Sequence, residues 1–375
     1  MMHQLAYEFL TNNHDVTVIS PGSELSQNYV REKIDGIDVY KFKSGKIKKT
    51  SRVKRAINES LLSVRAWFSL RNFFLENKHD YIIYYSPSIF FGPLVWKLKK
   101  IWKVKSFLIL RDIFPRWAID NKMIREYSLI SLYFKFFERI NYINANTIGL
   151  MSPKNLEFFE KNYKVKNKKI VLNNWISRFK SQGSKKDYKD IFNLKNKVVF
   201  FYGGNIGKAQ DISSIVKLAN KMRDISDAHF FIVGDGDNFS DIEKEIFHFN
   251  LKNITLLKTV EKDEYYQMLK QFDVGIFTLS SSHKTHNFPG KILEYLNFEK
   301  PILGLVNNGN DIKNLIEFYN VGYISFSENF NEFFSNANKL INHRERDTLK
   351  KNINRILDET FSSNSAYKKI IKFSK

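Results

Sequence analysis

Residues 197–211 read KVVFFYGGNIGKAQD. A run of β-branched and aromatic residues, the composition of a strand buried on both faces, breaks at Gly203 into a loop carrying Gly204 and Gly207. Helix onset is expected near Gln210. Glycines allow a backbone to approach a ligand closely, and a loop feeding a helix N-terminus gathers N–H groups that suit phosphate. Lys208 adds a point charge. The same glycines also serve plain strand-to-helix packing, so the surrounding sequence must decide between the two.

Outward from this stretch the strand-then-helix pattern repeats. Downstream, strands are expected at Ala228 to Gly234, Ile254 to Lys258, Asp273 to Leu279, Pro301 to Val306 and Gly322 to Phe326. Upstream they are expected at Asp15 to Ser20, Asp80 to Ser86, Lys105 to Asp112 and Asn146 to Ser152. Amphipathic stretches such as Ile124 to Tyr142 fit helices between them. The polar run SRFKSQGSKKDYKD separates the halves. The reading is α/β, with two facing Rossmann-like domains and a ligand crevice between them. Its divisions are 1–176, a linker 177–196, a second domain 197–358, and a C-terminal helix 359–375 returning towards the first.

Composition supports two cores. The 375 residues are 43% hydrophobic and include 34 Phe and 18 Tyr, too many for one ordinary domain and too apolar for disorder. Cysteine is absent, which removes disulfides, thiolate metal sites and cysteine nucleophiles. No uncharged stretch reaches the roughly 20 residues that span a bilayer, and the opening MMHQLAYEFLTNNHD has no signal-peptide pattern. The expected location is the cytoplasm.

The net charge of +21 calls for an anionic partner. Lys41 to Arg55 holds eight basic residues and no acidic one; Lys46, Lys48, Lys49, Arg52, Lys54 and Arg55, followed by an apolar amphipathic stretch, suit an anionic membrane surface. A solvated basic face is the plainer alternative. Nucleic acid is not expected as a partner, because the usual binding modules are absent.

The deciding context is HNFPGKILEYLNFEKPILG, residues 286–304: a Pro-Gly loop, a helix starting near Lys291, an acidic residue one turn in, then a buried strand. With the Tyr202–Asp211 loop, VGDGDN at 233–238, QFDVGIFTL at 271–279, VLNNWI at 171–176 and LRDIFPRWAID at 110–120, this resembles the retaining glycosyltransferases of family 4 (group 1), which have the GT-B fold. The resemblance covers nearly the whole chain.

It implies a nucleotide-diphosphate sugar as donor and no metal or other cofactor. Glu294 matches the glutamate that accepts hydrogen bonds from the donor ribose. His286 stands where the family has a first acidic residue, and Asn287 is beside it. Phe288, Pro289, Gly290 and Lys291 would meet the diphosphate. Asn205 stands where an Arg is usual and Gln210 near a Lys position, leaving Lys208 as the loop's cation beside Gly204. Arg111 and Asp112 would face donor sugar or acceptor, or cap a turn. The departing phosphate would take the acceptor proton, so catalysis is positioning and charge stabilisation. Asp235-Gly236-Asp237 reads as a tight turn.

The loop patterns look most like transferases of amino- or deoxysugars of the N-acetylfucosamine type. UDP-N-acetyl-L-fucosamine or a related donor would serve a lipid-linked or saccharide acceptor in O-antigen, capsule or exopolysaccharide assembly, with the protein peripheral at the inner face of the cell membrane. Members of the family open with a strand and a glycine-rich loop that this sequence lacks, so Asp15 to Ser20 and Asp80 to Ser86 are expected to miss a ladder partner and activity to be impaired. An epimerase of the same fold, a noncatalytic remnant and a basic nucleic-acid binder are the alternatives.

Overall fold

A computed structural model describes the chain apart from residues 48–49, 87, 121, 181–185, 282–287 and 375 and the side chains of Arg52 and Trp117. It divides into two compact units, residues 1–173 with 363–375, and residues 174–362.

The first unit contains two sheets. β1 (Thr17–Gly22), β2 (Tyr29–Ile34) and β3 (Ile37–Lys43) form one, in the order β1-β3-β2, with β1 and β3 parallel and β2 and β3 antiparallel. β4 (Tyr81–Ser86), β5 (Lys105–Leu110), β6 (Thr147–Leu150) and β7 (Lys168–Val171) form the other, all parallel. Among the described residues β1 pairs with β3 alone and β4 with β5 alone. The β2–β3 hairpin interrupts the expected strand-then-helix pattern, although Asp35-Gly36 between two β-branched runs signals one. Both turn residues take the positive φ, 48° and 83°, that such a turn requires.

The helix Ser363–Ile371 packs on the first helix, Met2–Thr11. The Glu8 carboxylate accepts from Ser363 Oγ at 2.8 Å and Asn364 Nδ2 at 2.7 Å, and the Tyr367 ring meets Phe9 edge-on at 4.9 Å. The expected helix over Ile124 to Tyr142 is instead Leu129–Ile143, preceded by a short helix Arg116–Asp120. Ser128 sets its start, its hydroxyl accepting the Ser131 N–H.

The second unit is one six-stranded parallel sheet: β8 (Val198–Gly203), β9 (Ala228–Val233), β10 (Ile254–Leu257), β11 (Val274–Thr278), β12 (Ile302–Val306) and β13 (Gly322–Phe326). The order is β10-β9-β8-β11-β12-β13. Every residue of β8, β9, β11 and β12 is buried, which explains the unbroken apolar runs of the sequence. The chain order reverses between β8 and β11, the place where doubly wound sheets open a crevice at their strand C-termini.

The segment expected as an interdomain linker over 177–196 falls within this unit. Phe179 packs on Tyr266 and Phe298, and its backbone exchanges hydrogen bonds with the Asn297 side chain at 3.2 and 3.0 Å. Tyr188 is buried, and Lys189 pairs with Asp273 at 2.7 Å. Aromatic residues inside a polar run are what anchor it.

Candidate functional site

The second unit's switch point brings together the loop after β8 and the loop after β11. Gly203 ends β8, and a Cβ there would lie 2.1 Å from the Tyr265 ring, so only glycine lets that ring lie over the strand end. Gly204 follows with φ +133°, a conformation that side chains resist. Asp235 accepts the Gly236 N–H at 2.8 Å and its carbonyl accepts the Ile206 N–H at 2.8 Å. The Asp-Gly-Asp segment is thus a turn that braces the β8 loop.

The loop does not run straight into a helix at Gln210. A single 3₁₀ turn, Lys208–Gln210, ends at Asp211 in the left-handed region, and the α-helix starts at Ser213. Asn205 and Gln210 bond each other at 2.8 Å, and Lys208 is exposed on the turn. Thr278, at the end of β11, ties the loops together, its hydroxyl donating to the carbonyls of Gln210 and, at 3.0 Å, Asp211. Ser280 N–H adds a bond to the Ala209 carbonyl at 3.0 Å.

The cation that reaches the loop from within is Lys291, the first residue of the helix Lys291–Asn297. Its Nζ is covered, lies 3.4 Å from the centroid of the Tyr202 ring and has no hydrogen-bond partner among the described residues. A Cβ on Gly204 would sit 3.4 Å from it. Burial drives its pKa well below the ordinary lysine range, with Glu294 pulling weakly the other way. A ring face compensates part of the cost of desolvating an ammonium, but an unbonded buried cation is costly. The position is prepared for an anion.

Glu294 lies one turn further on. Its two oxygens accept from Tyr265 Oη at 3.0 Å and Tyr266 Oη at 3.4 Å. Burial raises its pKa, while the two tyrosine bonds and the nearby lysines oppose the rise. A carboxylate has about four acceptor positions, so two tyrosine donors leave capacity for further hydroxyls. The helix is fixed from below by Tyr295, fully buried, whose hydroxyl donates to the Ile276 carbonyl at 3.1 Å and accepts the Gly203 N–H at 3.3 Å. Gly275 makes that possible, since a Cβ there would lie 2.3 Å from the Tyr295 ring. Neither tyrosine on Glu294 is legible in KDEYYQML, because only the fold places that helix against this one.

Of the other expected residues, Phe288 is buried and Pro289 half-buried, while Gly290 faces open space, with no atom within 4 Å of where a Cβ would stand. His286 and Asn287 lie outside the described residues. In the first unit Arg111 is buried, and its guanidinium donates to the carbonyls of Leu172 at 2.6 Å and Asn173 at 3.1 Å. It ties the end of β5 to the chain leaving β7, and burial lowers its pKa to about 10. Asp112 beside it is exposed.

The basic segment is less free than its sequence implies: Lys46 pairs with Glu24 at 3.0 Å and Arg55 with Glu59 at 2.8 Å. Lys54 is exposed, and Lys48, Lys49 and the Arg52 side chain lie outside the described residues. Also among the described residues, no cluster of three His, Asp or Glu side chains is placed to hold a metal ion.

Residues 184–357 match the family model described as glycosyl transferases group 1. The chain is 21% identical over 226 residues to the probable glycosyltransferase WbjE of Pseudomonas aeruginosa, covering 58% of this chain and 55% of that one. It is 24% identical over 268 residues to the putative colanic acid biosynthesis glycosyl transferase WcaI of Escherichia coli K12, covering 66% and 62%. The chain thus spans less than two thirds of either relative. Among solved structures, WaaG, a glycosyltransferase involved in lipopolysaccharide biosynthesis, superposes with a TM-score of 0.64 at 11% identity over 100% of this chain and 95% of that one. Anabaena HepE in complex with UDP-glucose gives 0.64 at 14% identity over 90% and 86%. These two likenesses show the fold, the GT-B pair of Rossmann-like domains.

Proposed function

We propose that this chain, residues 184–357 of which match the group 1 glycosyl transferase family model, transfers a sugar from a nucleoside-diphosphate donor to a lipid-linked or saccharide acceptor in surface-polysaccharide assembly. The observation that carries the reading is the buried Lys291 ammonium against Gly204, without a hydrogen-bond partner among the described residues, with Glu294 held one turn away by two tyrosines.

In this reading the diphosphate sits against Gly204 and gives Lys291 an anionic partner. The ribose hydroxyls donate to the Glu294 carboxylate. As the bond from the sugar C1 to the phosphate oxygen breaks, Lys291 stabilises charge building on the leaving diphosphate, where a cation in a dry site counts most. The acceptor hydroxyl oxygen bonds to C1 on the face the phosphate leaves, and its proton passes to the departing phosphate. Configuration at C1 is retained, and no protein base or metal takes part.

The name of the Escherichia coli relative, a putative colanic acid biosynthesis glycosyl transferase, supports a role in surface polysaccharide, and the glycine-loop patterns support an amino- or deoxysugar donor, UDP-N-acetyl-L-fucosamine or a related sugar. The test is product analysis by NMR with purified chain, a panel of nucleotide sugars and a lipid-linked acceptor. Transfer with the donor's anomeric configuration is expected. Conversion of the donor without acceptor would replace the reading with an epimerase, and inversion at C1 would overturn the mechanism.

A further inference from the structure

Tyr202, next to last in β8, is fully buried in the apolar core of the second unit. A buried tyrosine ordinarily fills volume with its ring and satisfies its hydroxyl wherever a partner lies. Here the two ends of one side chain meet two different parts of the site. The ring face lies under the Lys291 ammonium, 3.4 Å from centroid to Nζ. The hydroxyl donates to the Asn205 carbonyl in the glycine loop at 2.6 Å. Loop bracing alone accounts for the second contact but not for the first, since an aliphatic side chain would fill the core without attracting a cation.

Lys291 Nζ has the ring on one side and Gly204 on the other, where a Cβ would stand 3.4 Å away, and it makes no hydrogen bond among the described residues. Glu294, on its own helix, is the charged group that favours its protonated form. From the helix Lys262–Gln271 the Tyr265 and Tyr266 hydroxyls and Lys262 act on Glu294 instead, and Lys208 is exposed on the 3₁₀ turn. The loop carbonyls matter as much as the cation, because a carbonyl oxygen repels a phosphate that N–H groups attract. The Gly204 carbonyl is packed on Gly234, where a Cβ would come within 1.8 Å of its oxygen. The next carbonyl, that of Asn205, is the one Tyr202 holds.

We propose that Tyr202 is a positioning residue for the donor diphosphate: its ring face fixes the Lys291 ammonium over Gly204, and its hydroxyl holds the Asn205 carbonyl back from the phosphates. The ligand in this statement rests on the transferase reading. The hold of the ring on Lys291 does not, and it is measured in the ligand-free chain.

The experiment compares Tyr202→Phe, which keeps the ring and drops the hydroxyl, with Tyr202→Leu, which drops both. In the full chain labelled with carbon-13 at lysine Cε, NMR titration follows the Lys291 signal, identified by its loss in Lys291→Met. A ring face favours the charged ammonium, so Tyr202→Leu should make Lys291 titrate at a lower pH, by on the order of one pH unit, while Tyr202→Phe titrates as wild type does. Calorimetry with uridine diphosphate should then show binding weakened roughly fivefold to thirtyfold in Tyr202→Leu and about threefold to tenfold in Tyr202→Phe. A pentafluorinated phenylalanine at position 202 keeps the ring's shape and removes its attraction for a cation. It should lower the Lys291 titration as Tyr202→Leu does, and it decides the matter if Tyr202→Leu fails to fold by circular dichroism. Lys291 titrating as in wild type in the leucine and fluorinated variants would overturn the proposal, as would wild-type affinity for uridine diphosphate in all three. If folded wild type binds no nucleoside diphosphate, the transferase reading fails and the donor role of Tyr202 fails with it, whereas a loss confined to the variants bears on Tyr202 alone.

Discussion

Lys291 Nζ lies 3.4 Å from the centroid of the Tyr202 ring, with no hydrogen-bond partner among the described residues. An ammonium held this way lowers the stability of the ligand-free fold and recovers the cost only when an anion arrives. Lys291→Met keeps the apolar stem and removes the charge, so it should stabilise the ligand-free chain on the order of 1 to 3 kcal/mol. Denaturant titration measures it; a less stable variant would contradict the account.

The sign of the pH dependence follows. The folded state holds the Lys291 pKa below its ordinary 10.5, so between that depressed value and 10.5 the unfolded chain binds more protons. This group's contribution to stability therefore rises with pH across that window. A bound diphosphate raises the pKa again, so wherever Lys291 is neutral in the free protein, binding takes up a proton. Calorimetry in two buffers of different ionisation enthalpy should show net uptake, with affinity falling as pH rises. Lys291→Met should show neither effect.

Glu294→Ala should weaken nucleoside-diphosphate binding by about 1.5 to 3 kcal/mol, the worth of a charge-assisted hydrogen bond. Tyr265→Phe leaves the carboxylate in place but removes a donor that opposes its raised pKa. It should cost less than Glu294→Ala and move the pH at which binding is lost upward, because a protonated Glu294 accepts fewer hydroxyls. Equal losses in the two variants would assign Tyr265 a direct contact instead.

Two glycines of the site should behave oppositely. Gly203→Ala drives a methyl into the Tyr265 ring at 2.1 Å and should cost on the order of 1 to 3 kcal/mol of stability, with weaker nucleotide binding because Tyr265 holds Glu294. Gly290→Ala meets nothing within 4 Å and should leave stability within about 0.5 kcal/mol of wild type. Similar effects at both positions would show that the close approach at Gly203 carries no weight.

The sheet of the second unit is readable in the sequence because its strands are buried on both faces and so appear as unbroken apolar runs. Glu294 and Lys291 stand out in the sequence through the family resemblance of the Pro-Gly loop and the helix that follows it. What the sequence hides depends on contacts between distant segments. Lys208 and Lys291 are both near glycines, but only the fold shows that the second is buried under the loop and the first is not. Tyr265 and Tyr266 look like any aromatic pair on a helix. Arg111 reads as a strand-end cation until β7 brings two carbonyls to it. The Leu129–Ile143 periodicity is visible, yet its direction is not, since a periodic pattern reveals two faces without saying which one is inside. Asp35-Gly36, by contrast, is a legible hairpin signal that the surrounding βα pattern overshadows.

The central claim is that the β8/β11 switch point binds a nucleoside diphosphate through Lys291 and Glu294. Calorimetric titration of the full chain with uridine diphosphate and other nucleoside diphosphates tests it most directly. The account predicts saturable one-to-one binding of at least one of them, weakened on the order of tenfold or more in both Lys291→Met and Glu294→Ala. Binding that both variants leave unchanged, or no binding of any nucleoside diphosphate by a folded wild-type chain, would contradict it.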